Sequence, residues 1–197
     1  MRIFVAGASG VIGIRIVPLL LAAGHEVAGM TRTPSKATML RDLGADPVVC
    51  DAFEAATLRT AVVAFAPDVV IHELTDLPDD EGLLPSNGAA NARIRREGTR
   101  NLLAAARAAK AGRFLAESVA WELSGDGGAA VRELERTVLD AGGVVLRYGR
   151  LYGPGTYHES ALPEPPRVHV DEAARRTVES LDAPTGVVTI VESQRPT

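Results

Sequence analysis

The sequence predicts an α/β domain, a doubly wound parallel sheet with helices on both faces. Short apolar runs alternate with helix-patterned segments almost to the end of the 197 residues. The runs are apolar throughout, the pattern of strands buried on both faces of a parallel sheet. The first run breaks into "GASGVIG", three glycines spaced three apart where a helix should open.

In chain order, "RIFVAG" is the first strand, and Val11 to Ala23 is a largely apolar helix stopped by Gly24. Pro18 removes one backbone donor inside it, so a kink is expected there. "HEVAGM" is the second strand; "SKATMLRDLG" is a helix with Ser35 as a candidate cap and Gly44 as its stop. "DPVVC", "EAATLRTAVVAF" and "PDVVIH" read as strand, helix and strand. Residues 73–86, with Pro78, Asp79, Asp80, Gly82 and Pro85, read as a long loop, the kind that often carries function. One long helix is expected from Asn87 to Lys110, then the strand "GRFLAES", a turn at "SGDGG", the helix "AVRELERTVLDAGG" and the strand "VVLRYG". Residues 153–167 carry Pro154, Pro163, Pro165 and Pro166 and read as irregular surface; "VDEAARRTVESL" and "GVVTIVE" close the pattern.

The length fits a single domain, 1–197. With 46% hydrophobic and 23% charged residues the composition is globular. A net charge of −4 gives no reason to expect nucleic acid or an anionic membrane as partner. The lone Cys50 excludes an intrachain disulfide and fits a reducing cytoplasm. The N-terminus enters a strand pattern without a signal-peptide pattern, and no apolar run approaches the ~20 residues of a membrane span. The expected setting is cytoplasmic and the expected partner a small molecule.

The glycines have distinct tasks. Gly7 permits a tight turn, Gly10 lets main chain approach a pyrophosphate, and Gly13 lets the helix pack closely on the strand. With Ser9, Val11 and Ile12 they would present bare amides at a helix start, where the dipole favours an anion. An ordinary strand-to-helix turn is the plain alternative.

"GASGVIG" near the N-terminus resembles the extended or atypical short-chain dehydrogenase/reductase superfamily, the NAD(P)-dependent epimerase/dehydratase group. "GHEVAGMTR", "DVVIH", "EGTRNLLAAARAA", "LRYGRLYGPG" and "VHVDEAA" match further segments of that family in order. The resemblance implies a Rossmann-type sheet, a nicotinamide cofactor and a reduced substrate lobe, residues 153–197. It also suggests a homodimer through the long fourth helix and a helix face at Val131, Leu134, Val138 and Leu139, a stripe that could equally pack on the sheet.

NAD-binding sheets usually end the second strand in an acid that binds the ribose 2′-OH. Here the window reads Met30-Thr31-Arg32-Thr33, with no acid between Val27 and Arg41. Arg32 is placed to meet a 2′-phosphate and Lys36 follows it, so NADP is expected in preference to NAD; both could instead be solvated surface charges. The resemblance implies that Asp51, with Ala52, contacts the adenine, although Asp51 could as well cap a helix. Leu74 and Thr75 fall where the family's backbone lines the ribose, after an unusual Glu73.

The family's Tyr-x-x-x-Lys pair is missing. Aligning Glu135 with the family's glutamate puts Gly127 and Val131 at the two positions, and the only lysines are Lys36 and Lys110. A tyrosine near its ordinary pKa of ~10 is a poor base at neutral pH. Ser118, with Glu117 as the alternative occupant, stands where the family polarises the substrate oxygen. Tyr148 replaces the family's proline beside the nicotinamide. Ser118 and Tyr148 are therefore the candidate catalytic residues; Tyr152 reads as structural, His72 as packed, and Tyr157, His158 and His169 as weaker candidates. The leading expectation is an NADP(H)-dependent oxidoreductase or epimerase-like enzyme acting on a small carbonyl or alcohol. The alternative is a non-catalytic NADP(H)-binding redox sensor or partner-binding module.

Overall fold

The computed structural model describes residues 1–84 and 86–193, so Pro85 lies outside the described residues. Its main elements are β1 (Arg2–Ala6), α1 (Gly13–Ala22), β2 (Glu26–Thr31), α2 (Ala37–Asp42), β3 (Asp46–Val49), α3 (Ala55–Phe65), β4 (Val69–His72), α4 (Gly88–Arg93), α5 (Thr99–Ala108), β5 (Arg113–Val119), α6 (Gly125–Asp140), β6 (Val144–Tyr148), β7 (Arg150–Tyr152), β8 (Arg167–His169), α7 (Val170–Glu179) and β9 (Gly186–Ile190).

Seven strands form one parallel sheet in the order β3-β2-β1-β4-β5-β6-β9. The direction of winding reverses between β1 and β4, so the crevice at their carboxyl ends is where such a sheet binds its ligand. Alternate strand residues face opposite layers. Ile3, Val5, Ile71, Leu115, Leu146 and Tyr148 pack with α1, α2 and α7. Phe4, Ala6, Val70, Phe114, Ala116 and Val145 pack with α3, α5 and α6. Both layers are dominated by aliphatic side chains, which is why the strands read as continuous apolar runs.

The structure departs from the sequence reading at several element ends. Ser35 caps nothing: it lies in a 3₁₀ turn, Pro34–Lys36, and α2 starts at Ala37 without a side-chain cap. The loop after β4 contains its own 3₁₀ turn, Glu81–Leu83, capped by Asp80 accepting from the Gly82 amide. The expected single helix over 87–110 is interrupted by a π turn, Ile94–Gly98, between α4 and α5. Helix α6 takes in the glycines of "SGDGG", which were expected to form a turn before it. The segment expected to be irregular is flanked by two short strands, β7 and β8, paired parallel with each other.

The face of α6 suggested for a dimer is used within the chain, because Leu134 and Val138 are buried in the second core and Leu139 packs against it. Among the described residues no helix is long and apolar enough to cross a membrane.

Candidate functional site

The glycine turn leads straight from β1 into α1. Gly7 has φ +88°, and a Cβ there would stand 2.5 Å from the Glu73 carbonyl oxygen. A Cβ on Gly13 would stand 2.2 Å from the Gly7 oxygen. Gly10 closes the turn by donating its amide to Gly7 O at 2.9 Å. Val11 and Ile12 lead into the helix, where the Ile14 amide donates to Gly10 O at 3.0 Å and the Arg15 amide to Ile12 O at 2.9 Å, so the amides that could face an anion lie ahead of these two. Ser9 is fixed sideways by a 2.9 Å contact between its Oγ and Thr31 Oγ1 at the end of β2. The turn therefore offers main chain, small side chains and a helix start, which suits a pyrophosphate.

Two strand ends flank this turn and are bridged above it. Arg32, just past β2, donates from Nη2 to Asp76 Oδ1 at 2.8 Å, and this bond raises the Arg32 pKa. Asp76 is steadied by its amide donating to Asn91 Oδ1 and its carbonyl accepting from Asn87 Nδ2. The Arg32 side chain is 59% exposed, so the rest of its fork faces solvent. Lys36 is exposed in the neighbouring 3₁₀ turn.

Beyond β3, Asp51 Oδ1 accepts from the Phe53 amide at 2.9 Å, and the Ala52 carbonyl accepts from Asn101 Nδ2. After β4, the Leu74 amide donates to His72 Nδ1 at 3.1 Å, while Thr75 is exposed. His72 is wholly buried, and its Nε2 lies 2.9 Å from Thr99 Oγ1. Since Nδ1 accepts, Nε2 carries the ring proton. Burial, with Arg95 nearby, pulls the His72 pKa down to about 3.

That depressed value gives a signed expectation. Below the usual histidine range the unfolded chain takes up a proton that native His72 refuses. His72 thus contributes stability above about pH 6.5 that is lost as pH falls toward 3. Acid unfolding followed by circular dichroism should show this slope, and His72→Gln should flatten it.

The candidate catalytic pair is not brought together. Ser118 donates to Glu135 Oε1 of α6 at 2.6 Å, and Glu135 also takes a two-pronged bond from Arg147 at 2.8 and 2.5 Å. Burial alone would raise the Glu135 pKa, but the bonds from Arg147 and Ser118 outweigh it and hold the carboxyl below its usual range. Tyr148 points to the opposite layer, where its hydroxyl meets Glu73 Oε1 at 2.8 Å and Thr177 Oγ1 at 2.6 Å. Burial first, then the Glu73 charge, push the phenol well above its ordinary value, so Tyr148 stays neutral.

Three ionisable groups near these strand ends have roles that sequence reasoning did not assign. Glu117, inside β5, and Arg95, in the π turn, are both buried, with Arg95 Nε and Glu117 Oε1 3.6 Å apart. Neither of those two atoms finds a hydrogen-bond partner among the described residues. Glu73 is the third; the only signal for the acids was their presence at apolar positions.

Tyr152 packs edge-on to His169, with ring centroids 5.2 Å apart, and donates to Glu192. Tyr157 donates to the Pro78 carbonyl and His158 lies 3.8 Å from Glu81, so the 153–162 segment touches the loop after β4. An open cleft of about 470 Å³ lies between them.

An NAD(P)H-binding family model matches residues 7–141, more than half of the chain, from the glycine turn through α6. The chain belongs to this NAD(P)H-binding family. Family membership brings a nicotinamide dinucleotide as the cofactor, and the bare main chain of the glycine turn would fit its pyrophosphate. The chain is 41% identical over 180 residues to a 3-diazoavenalumate denitrifying reductase from a Streptomyces species, a match covering 79% of this chain and 58% of that protein. It thus spans less than two thirds of that relative's length. Among solved structures, the NAD complex of UDP-glucose 4-epimerase from Thermus thermophilus has a TM-score of 0.80 at 20% identity, covering 98% of this chain and 78% of that one. ChuY, an anaerobillin reductase from Escherichia coli, has a TM-score of 0.74 at 21% identity over the full length of both chains. These two likenesses show the doubly wound α/β fold expected from the sequence.

Proposed function

We propose that the chain is an NADPH-dependent reductase that passes hydride to a small electrophilic substrate. The observation that carries this is the glycine turn with Arg32, and no acid, at the end of the strand beside it. The residues that would hold the dinucleotide are Gly7, Ser9, Gly10, Val11, Ile12 and Gly13 at the pyrophosphate. Arg32 and Lys36 would hold the 2′-phosphate, Asp51 and Ala52 would face the adenine, and Leu74 and Thr75 would line a ribose. Once bound, the reduced nicotinamide supplies two electrons as hydride; the chain supplies placement, water exclusion and any proton.

Two substrate classes are worth testing. One is small carbonyl compounds, which need a proton on oxygen as hydride arrives at carbon. The other is diazo compounds, suggested by the name of the Streptomyces relative. The non-catalytic reading draws on the missing Tyr-x-x-x-Lys pair and on Ser118 being committed to Glu135.

Fluorescence titration with NADPH and NADH tests the cofactor, and NADPH absorbance against aldehydes, ketones, quinones and aryl diazo compounds tests turnover. Tighter NADPH binding and oxidation by one class are expected; binding without oxidation by any would favour the sensor. Arg32→Ala should weaken NADPH about tenfold to a hundredfold, the worth of a charge-assisted bond, and leave NADH nearly unchanged. Equal losses for both cofactors would defeat the NADP assignment.

A further inference from the structure

Three hydrogen bonds in a line need three protons, and two hydroxyls supply only two. Three contacts of hydrogen-bond length run in such a line at the carboxyl end of the sheet. Glu73 Oε1 is 2.8 Å from Tyr148 Oη, Tyr148 Oη is 2.6 Å from Thr177 Oγ1, and Thr177 Oγ1 is 2.8 Å from the Ala173 carbonyl oxygen. Tyrosine and threonine bring one proton each, and the carbonyl brings none. If Thr177 donates to Ala173, Tyr148 must donate to Thr177. The bond between Glu73 and Tyr148 then needs a proton on Glu73. With Glu73 ionised, one of the three contacts would press two oxygens together with no hydrogen between them.

We propose that Glu73 is held protonated at neutral pH and gives that proton to the substrate as it is reduced, taking the place of the missing tyrosine–lysine couple. This rests on the reductase reading above.

The surroundings favour the neutral acid. Glu73 meets Tyr148 from β6, whose hydroxyl also meets Thr177 from α7, and it feels the charge of Glu117 from β5, to which Arg95 of the π turn is paired. Burial, then the Glu117 charge, push the Glu73 carboxyl up to about 8, against a smaller downward pull from Tyr148. The Arg95 guanidinium lies against Glu117, where it opposes the upward push that burial gives that acid, while the partner of Glu73 is the Tyr148 hydroxyl.

The position suits delivery. Glu73 follows β4 at the reversal of the sheet, and its own carbonyl abuts Gly7 of the phosphate turn. Oε1 is engaged by Tyr148; Oε2 has no partner among the described residues, and Glu73 keeps some exposed surface. For a carbonyl substrate, reduced nicotinamide supplies the hydride to carbon and is itself oxidised. The substrate oxygen gains an electron pair and takes the Glu73 proton once the carboxyl has swung its O–H from Tyr148 toward it: the carboxyl O–H bond breaks, its electrons stay on Glu73, and an alcohol O–H bond forms. Tyr148 can then turn its hydrogen toward the new carboxylate until solvent reprotonates it.

The test has one arm that needs no substrate. Carbon-13 NMR of glutamate-labelled protein should show one carboxyl titrating near pH 8, absent in Glu73→Gln. The Glu73 contribution to stability should fall as pH rises from about 4.5 through 8, because the unfolded chain releases a proton that the native chain keeps; His72 opposes it below about pH 6.5, so the wild-type fall in thermal stability is read between about pH 6.5 and 8, and Glu73→Gln should remove it. A Glu73 midpoint in the ordinary range of about 4 to 5 overturns the proposal.

In the second arm, phenanthrenequinone and 4-nitrobenzaldehyde are reduced with NADPH. Glu73→Gln should lower kcat about a hundredfold or more while the NADPH Kd and the melting temperature at about pH 6 hold. The glutamine amide can still donate to Tyr148, so the fold is retained. Undiminished kcat in Glu73→Gln overturns the donor role. A wild-type chain that binds no NADPH overturns the cofactor reading, and the donor role with it, and the NMR arm shows that this failure is separate from loss of the Glu73 proton.

Discussion

Gly13→Ala should abolish cofactor binding while leaving a folded but weakened chain. The added methyl has nowhere to go: besides the Gly7 oxygen at 2.2 Å it would meet Ala8 Cα at 2.7 Å, and both are main chain. To admit it, α1 must lift from the end of β1, which moves the main chain of the glycine turn away from the pyrophosphate it would hold. Burial of Ile16, Val17 and Leu20 anchors the rest of α1. The expected cost is therefore local, about 1–3 kcal/mol of overpacking, with NADPH affinity reduced beyond a hundredfold in fluorescence titration. The other glycines rank behind it by what they would strike. Gly10→Ala approaches only the Gly7 oxygen, at 3.2 Å, and should lose far less affinity. Gly127→Ala, in α6, meets nothing within 4 Å and should stabilise by up to about 1 kcal/mol with unchanged binding. Equal binding by the Gly13 and Gly127 variants would remove the phosphate site from this turn.

The contrast between those glycines shows why the scaffold was legible. Spacing alone distinguishes Gly7, Gly10 and Gly13, because a turn that offers only main chain to an anion leaves its mark in adjacent residues. The sheet is legible for the same reason: each of its five inner strands shows its burial on two faces within its own short stretch, while the edge strands β3 and β9 are partly exposed. Element ends were less so. The π turn at Ile94–Gly98 has no local residue pattern that separates it from the helices on either side, and α6 reached back through three glycines once Leu134 and Val138 fixed it to the sheet.

The polar cluster was harder to read because its members are spread along the chain from Glu73 to Thr177. Glu73 is odd only beside the strand it follows, and Thr177 is an unremarkable helix residue until Tyr148 reaches it. Ser118 and Tyr148 both lie at the carboxyl edge, as expected, but successive strand positions face opposite layers. Ser118 pairs with Arg147 and Tyr148 with Val119 in the β5–β6 register, which sends one hydroxyl toward α6 and the other toward α7. Arg95 stands close to Arg93 and Arg96 in the sequence. The helical turn puts those two outward and Arg95 inward.

That inward arginine carries the second large expectation. Arg95→Met should cost about 3–5 kcal/mol in urea unfolding, since it strands Glu117 without its counter-charge at a site where both are buried. Burial already raises the Glu117 pKa, and Arg95 is what opposes the rise. Without the guanidinium, Glu117 is expected to take up a proton. Adding Glu117→Gln to Arg95→Met should then recover most of the loss, because the double variant leaves no charge to strand; a double variant as unstable as the single one would mean that Arg95 acts through packing alone. The same substitution reaches Glu73. Once Glu117 is neutral it no longer repels a charge on Glu73, so the Glu73 midpoint should move down from about 8 toward the ordinary carboxylate range. Arg95 therefore acts on Glu73 through Glu117, because it opposes the rise that burial gives the Glu117 pKa. A Glu73 titration that does not move in Arg95→Met would show that burial alone holds the proton there.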